Sequence, residues 1–397
     1  MTQRNGNKME KTFASWKVYL AILIGLLIVA WMVYRNVQQS HFIEVKNNGN
    51  YCWVDVNYNH QVDFSNENEF KKCLNGNYRR ETFNDIFTQI NWSFTSVGWM
   101  IIAIVCMFGR DLAYIFRIQT LTNNELSWKS AFNVILIWEF ASAISPGVVG
   151  GVSVAMFILN KEKIALGRST AIVIITALMD NLFFLLLIPI VFLFVAPEVL
   201  FPTTSTVDKG VSLVFWGGFT LILMICLILF IGIFFYPQFI GKILSFICRL
   251  PFLKRFLPKI TKLDSDIRTT SNEFRKEKIS FWLKSVGSTF LSWSCRYLVI
   301  NCVMAAFLSL SVFDHFFILG KQLVLWLFMH ISPTPGGSGV AEYAFGELMS
   351  SFSNSMFLIT GLAIIWRLIS YFPYLIIGSI LLPSWLKSKK ETKDSMI

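Results

Sequence analysis

Six ionisable residues stand inside otherwise apolar stretches of the chain: Arg110, Glu139, Asp180, Arg296, Glu342 and Arg367. A charge at membrane depth costs about 2.5–3.5 kcal/mol or more unless it is paired or hydrated, so each is a functional candidate. Two chemistries fit them. Either arginine and carboxylate pair with one another and hold helices together, or the arginines offer their planar donor forks to an anion such as phosphate. Two breaks serve the second reading: Ser145-Pro146-Gly147-Val148-Val149-Gly150-Gly151 and Ser332-Pro333-Thr334-Pro335-Gly336-Gly337-Ser338-Gly339. Each would begin a helix with free N–H groups and the positive end of its dipole. A cavity bounded by Arg296, Arg367, Pro146, Gly147 and the turn Pro333, Pro335, Gly336 and Gly337 would suit a lipid phosphate. Glu342 and Asp180 would hold the arginines in place or contact an amine. Arg110 belongs to the same set, although it lies toward the cytoplasmic end of its span.

Other chemistries find little support. The four histidines (His41, His60, His315, His330) are scattered and none pairs with a Ser or Cys nucleophile. Only Asp180, Glu342 and Glu139 qualify as intramembrane acids or bases, so no catalytic group is expected. No GxxxxGK[ST] occurs, which leaves ATP-driven transport within this chain unsupported. With no CxxC pair and no His/Cys cluster, neither a metal nor another cofactor is expected.

The elements that must carry these residues follow from the composition. Of 397 residues, 54% are hydrophobic and 15% charged, with a mean hydropathy of +0.56. One soluble core could not hide that apolar surface, whereas a bilayer accepts it. The expected fold is an all-α polytopic membrane protein with about six full spans and two re-entrant helical hairpins. The net charge of +11 sits largely in loops beside the spans. It reads as a topology signal and a match to anionic lipid headgroups, not as nucleic-acid binding.

The spans are Val18–Tyr34, Ser93–Tyr114, Ser169–Ala196, Val211–Tyr236, Val286–Leu310 and Met356–Leu382. The broken stretches Phe132–Leu159 and Phe316–Met349 turn back instead of crossing, because irregular backbone at membrane depth needs protein or water around it. Segment 237–284 holds eleven Lys or Arg against four Asp or Glu and is placed in the cytoplasm. Within it, Phe239–Ile260 reads either as an amphipathic helix on the inner surface or as a hairpin packed on the protein. The organisation is then a cytoplasmic N-terminus and first span (1–34), an extracytoplasmic insertion (35–91), a first repeat plus one span (92–236), the basic segment (237–284), a second repeat (285–383) and a cytoplasmic tail (384–397). Both termini lie on the inner side of the cell membrane, the inner or plasma membrane. In the insertion, Cys52 and Cys73 are the only cysteines and are placed to form a disulfide. Closing a loop of about twenty residues would stabilise the region by roughly 3 kcal/mol.

Each half of the core reads span, broken hairpin, span. From Arg110 to Pro146 is 36 residues and from Arg296 to Pro333 is 37; Pro146 to Asp180 and Pro333 to Arg367 are both 34. The first half starts outside and the second inside, which makes an inverted repeat, an architecture associated with a site near the midplane.

The segment Ser332-Pro-Thr-Pro-Gly-Gly-Ser-Gly-Val-Ala-Glu342 resembles the proline–glycine–glutamate signature of the lysylphosphatidylglycerol synthase transmembrane region, also called the flippase-like domain family. Ser145-Pro-Gly-Val-Val-Gly-Gly with the Asp180 span is similar to that family's first broken segment, but lacks the Gly-Glu pair usual after the proline. The resemblance covers roughly 85–385. It implies a translocator of lipids or lipid-linked sugars, whose partner is an anionic phospholipid or polyprenyl-linked lipid. The alternative is a membrane partner or subunit of a lipid-modifying enzyme such as a glycosyltransferase. The family's full-length synthases carry a cytosolic transferase domain after the membrane region. The chain ends fifteen residues after Leu382, so aminoacyl transfer by this chain alone is not expected.

Overall fold

The computed structural model describes residues 42–81, 92–196, 206–236 and 268–394 apart from isolated positions within them, together with Leu23, Leu27, Ala30, Tyr34 and Leu200. Most of the Val18–Tyr34 span, the Phe239–Ile260 segment, Pro146 and Pro333 lie outside the described residues.

Among the described residues, ten α-helices follow a two-stranded sheet. The strands are β1 (Phe42–Trp53) and β2 (Phe70–Arg80). The helices are α1 (Phe94–Leu121), α2 (Trp128–Ile144), α3 (Gly147–Lys161), α4 (Leu166–Phe192), α5 (Thr206–Phe234), α6 (Ile279–Phe307), α7 (Val312–Ile331), α8 (Val340–Met349), α9 (Met356–Ser370) and α10 (Phe372–Asp394). Serines start several of them. Ser93, Ser127 and Ser355 cap α1, α2 and α9, and Ser311 forms a reciprocal capping box with Asp314 at α7. Among the described residues, six helical stretches are long and apolar enough to cross a membrane: 94–121, 166–192, 212–234, 279–307, 312–330 and 357–388. The protein is therefore an all-helical polytopic membrane protein. Five of the six overlap spans expected from sequence. The sixth is α7, the first arm of the second broken stretch.

The central contact is between α1 and α6, which run antiparallel. Trp92 meets Phe307 at one end, with ring centroids 5.3 Å apart, and Asn123 donates to Glu277 at the other, at 3.1 Å. Close approach is possible because α6 presents Ser285, Ser288, Thr289 and Ser292 at helical spacing, all buried, and Gly109 of α1 faces the Cys295 sulfur. The Ser292 hydroxyl donates to the Arg110 carbonyl at 3.1 Å.

Both broken stretches are helical hairpins whose arms pack on each other. Glu125, before α2, is ion-paired with Arg168, after α3, so the first hairpin opens at the Asn123–Glu277 end. Phe317 of α7 lies 5.5 Å from Phe352, after α8, so the second opens at the Trp92–Phe307 end. Helix α10 packs on α2, and α4 packs on α7. The contact of α10 with α2 is close: a Cβ on Gly378 would lie 2.2 Å from the Cβ of Phe140.

The insertion, left without an assigned structure by its mixed polar and aromatic sequence, folds as an antiparallel strand pair with irregular register. Cys52 and Cys73 are joined in a disulfide, Phe42 stacks on Phe70 at 4.1 Å, and the Trp53 indole donates to Glu69 at 3.0 Å. Glu81, directly after β2, accepts a hydrogen bond from the Ser355 hydroxyl and so ties the sheet to the start of α9.

The tight helix crossing gives a first test. Gly378→Ala should destabilise the purified protein by about 1–3 kcal/mol through overpacking. Gly361→Ala, whose added Cβ meets nothing within 4 Å, should leave it unchanged. Thermal unfolding followed by fluorescence-detected size exclusion compares the two, and equal melting temperatures would show that α10 is not packed this closely on α2.

Candidate functional site

The helices converge on a cavity of about 310 Å³. Its walls come from α1 (Tyr114, Arg117), α2 (Trp138, Glu139, Ser142), α4 (Thr176, Asp180, Asn181), α6 (Trp293, Arg296), α7 (Trp326, His330), the second break (Gly336, Gly337) and α9–α10 (Trp366, Arg367, Tyr371, Tyr374). Of the residues singled out in the sequence, Arg296, Arg367, Asp180, Glu139, Gly336 and Gly337 line it. Arg110 and Glu342 do not: they are 1% and 4% exposed and sit behind the wall. Gly147 opens α3, and Pro335 is not among the described residues that line the cavity.

Three paired arginines set the electrostatics. Arg110 bonds Glu139 of α2 at 2.5 Å and its neighbour Asp111 at 2.9 Å, with its guanidinium against the faces of Tyr114 and Tyr374. Tyr374 in turn donates to Asp111 at 2.8 Å. Arg117 bonds Asp180 of α4 at 2.5 Å and donates to the Thr289 hydroxyl at 3.1 Å, while the Trp293 indole donates to the same Asp180 oxygen at 2.8 Å. Arg367 bonds Glu342 at 2.8 Å and donates to the Gly336 carbonyl at 3.2 Å. Burial makes such pairs costly to break from one side.

Arg296 is the exception. It lines the cavity half-buried, its guanidinium 5.3 Å from the Trp293 ring centroid. Among the described residues no carboxylate pairs with it and no hydrogen bond holds it.

Two expectations change here. Helix α1 runs to Leu121, beyond the expected end near Tyr114, because its apolar face continues past Arg117. Arg117 looked like a loop charge at the membrane surface. It is 5% exposed, paired and inside the bundle. Second, the glycine turn does not leave a set of free donors. Gly337 N–H bonds the Thr334 carbonyl at 3.1 Å, Ser338 N–H the Pro335 carbonyl at 3.0 Å, and Gly339 N–H the Glu342 carboxylate at 2.6 Å. The signature glutamate thus closes the first turn of α8 and anchors Arg367. Gly336, Gly337 and Gly339 hold φ of +57°, +70° and +85°, which favours glycine. At Gly336 a Cβ would also lie 2.2 Å from the Tyr371 ring.

Tyr371 links the two breaks. Its hydroxyl donates to the Ala143 carbonyl at 3.2 Å and accepts from Ser338 at 3.3 Å. The sequence does not mark this residue, nor Tyr114, Tyr374, Trp138 or Thr176. A lone tyrosine or threonine in a span carries no visible cost, so nothing flags it. Among the described residues, no three His, Cys, Asp or Glu side chains converge as a metal site requires.

A helical membrane bundle with two broken hairpins around a charged cavity is the class this architecture defines. The chain belongs to the lysylphosphatidylglycerol synthase transmembrane region family, whose model matches residues 82–378. It is similar to a UPF0104 membrane protein of Archaeoglobus fulgidus, 25% identical over 327 residues that cover 78% of this chain and 94% of that protein. No solved structure matches it.

The Glu342–Arg367 pair generates the second test. Glu342→Ala should cost about 3–5 kcal/mol, because it strands a buried guanidinium. Glu342→Leu combined with Arg367→Met should cost much less than the sum of the two single changes. A double-mutant cycle on melting temperature measures this, and additive losses would mean that the pair is not coupled.

Proposed function

We propose that the protein translocates an anionic membrane lipid, a phospholipid or a polyprenyl-linked lipid, with the headgroup phosphate received in the cavity at Arg296. The unpaired Arg296 carries this reading. A guanidinium at membrane depth that no carboxylate contacts is costly, and an incoming phosphate supplies the missing partner through paired hydrogen bonds. The cavity is of a size that suits a headgroup and leaves the acyl or prenyl chains in the bilayer. The setting in the cell membrane, with both termini cytoplasmic, rests on the basic segment and the lysine-rich tail.

An inverted repeat with two re-entrant hairpins supports alternating access to such a site. The antiparallel α1 and α6, and hairpins opening at opposite ends, fit that arrangement. So do the matched packing pairs: α1 with α2 and α6 with α7, α3 with α4 and α8 with α9, α2 with α10 and α7 with α4. A second reading, a non-catalytic membrane partner of a lipid-modifying enzyme, draws on the fact that Arg110, Arg117 and Arg367 are already neutralised by helix-linking carboxylates.

The test is reconstitution in phosphatidylglycerol-containing vesicles with a fluorescent phosphatidylglycerol, scored by quenching of the outer leaflet. Wild type should speed exchange, and Arg296→Ala should reduce it about ten- to hundredfold, as for loss of a charge-assisted hydrogen bond of about 1.5–3 kcal/mol. Lys254→Ala, in the basic segment, should behave as wild type. Exchange no faster than in protein-free vesicles would shift the weight to the partner reading. Full activity in Arg296→Ala would reduce the intramembrane charges to structural ties.

A further inference from the structure

The charges around the cavity are balanced in number but not in place. Among the described residues, four arginines and four carboxylates line or back it. Arg117 with Asp180 and Arg367 with Glu342 are matched one to one. Arg110 holds two carboxylates, Asp111 and Glu139, whereas Arg296 holds none. The surplus carboxylate on Arg110 therefore balances the surplus arginine, and the set is neutral as a whole.

The two carboxylates on Arg110 are not equivalent. Asp111 accepts from Arg110 at 2.9 Å, and the Tyr374 hydroxyl lies 2.8 Å from each of its oxygens. It is not part of the lining. Glu139 lines the cavity with its side chain 21% exposed, and among the described residues only Arg110 bonds it. Arg296 and Arg117 act on it electrostatically from α6 and α1. The other charged or titratable groups of the wall are engaged elsewhere. Asp180 is held by Arg117 and the Trp293 indole, and Arg367 by Glu342. His330 turns its Nδ1 to the Trp326 carbonyl at 3.0 Å, and Tyr114 lays its ring against both Arg110 and Arg117.

A monoanion bonded to Arg296 would leave this neutral set with one negative charge too many at membrane depth, and Glu139 is the carboxylate that would face it. Like charges sharing a site disfavour ionisation, and a proton relieves the repulsion. Protonating Asp180 or Glu342 would strand a paired arginine. Glu139 can be protonated while Asp111 still neutralises Arg110. A proton on His330 would restore the count but leave the anion facing a carboxylate. We infer that the anion enters together with a proton, carried on a carboxylate oxygen of Glu139. The O–H bond forms with a proton from water as the headgroup docks at Arg296, and it breaks, returning the proton to water, as the headgroup leaves. This rests on the reading of Arg296 as the phosphate site and adds an energy source to it. The load that crosses is electroneutral, and a proton gradient drives it.

Calorimetric titration of the full chain with dihexanoyl phosphatidylglycerol, in buffers of differing ionisation heat, counts the protons taken up per lipid bound. The phosphodiester of this probe stays singly charged, so any uptake is by the protein. Wild type should take up about one proton, and by linkage its affinity should fall about tenfold for each unit rise in pH where uptake is full. Glu139→Gln, which leaves Arg110 paired with Asp111, should bind without uptake. Its affinity should not vary with pH and should be at least as tight as the tightest wild-type value. The wild-type readings need no variant, so a misfolded Glu139→Gln would not shelter the proposal. Wild-type binding without uptake would overturn the proton site and leave the phosphate reading at Arg296 standing. Uptake that survives in Glu139→Gln would overturn the assignment, and its loss in His330→Gln would place the proton on the histidine. If no binding is weakened by Arg296→Ala, both readings fall.

Discussion

Neutralisation of buried charge is the constraint that shapes this bundle. Where no water can solvate an arginine, its carboxylate must be brought to it, and each pair fixes the spacing of the segments that carry it. Arg110–Glu139 sets α1 against α2, Arg117–Asp180 sets α1 against α4, and Glu342–Arg367 sets α8 against α9. Tyr374 to Asp111 adds α10, and Trp293 to Asp180 adds α6. The cavity is what remains between these ties. Its polarity is a by-product of holding the helices, except at Arg296, where no structural partner accounts for the charge.

The family signature acquires a mechanical meaning from this arrangement. The glycines permit a turn with three positive φ values, the turn consumes three of its own N–H groups, and the glutamate ten residues after Ser332 both closes the next helix and holds Arg367. The motif resembles an anion-binding loop in composition. In its bonding it is a folded joint, and under the proposed function the anion would be received by Arg296 on another helix.

How much of this could be read from the sequence follows from what each residue costs when misplaced. Arg296, Asp180, Glu139 and Arg367 stand out because a charge in an apolar run has to be explained, and the structure brings all four to one cavity. Arg117 was hidden by position: it follows the apparent end of a span, where surface arginines are common. Thr176, Asn181 and Trp138 were hidden by chemistry, since neutral polar and aromatic residues are ordinary in spans and only the folded arrangement brings them to the cavity wall. The strand pair of the insertion went unassigned because its register is irregular and its stability rests on a disulfide and aromatic stacking more than on alternation.

Tyr371 carries a consequence for motion. A single phenol oxygen touches the end of the first hairpin's leading arm, at Ala143, and the turn of the second, at Ser338. Its own backbone lies at the junction between α9 and α10. Three parts of the bundle therefore meet on one residue. At a depth where water does not replace lost hydrogen bonds, sliding one part away would leave an unsatisfied group on another, so under alternating access the joint would act as a detent with preferred stops and not as an elastic hinge.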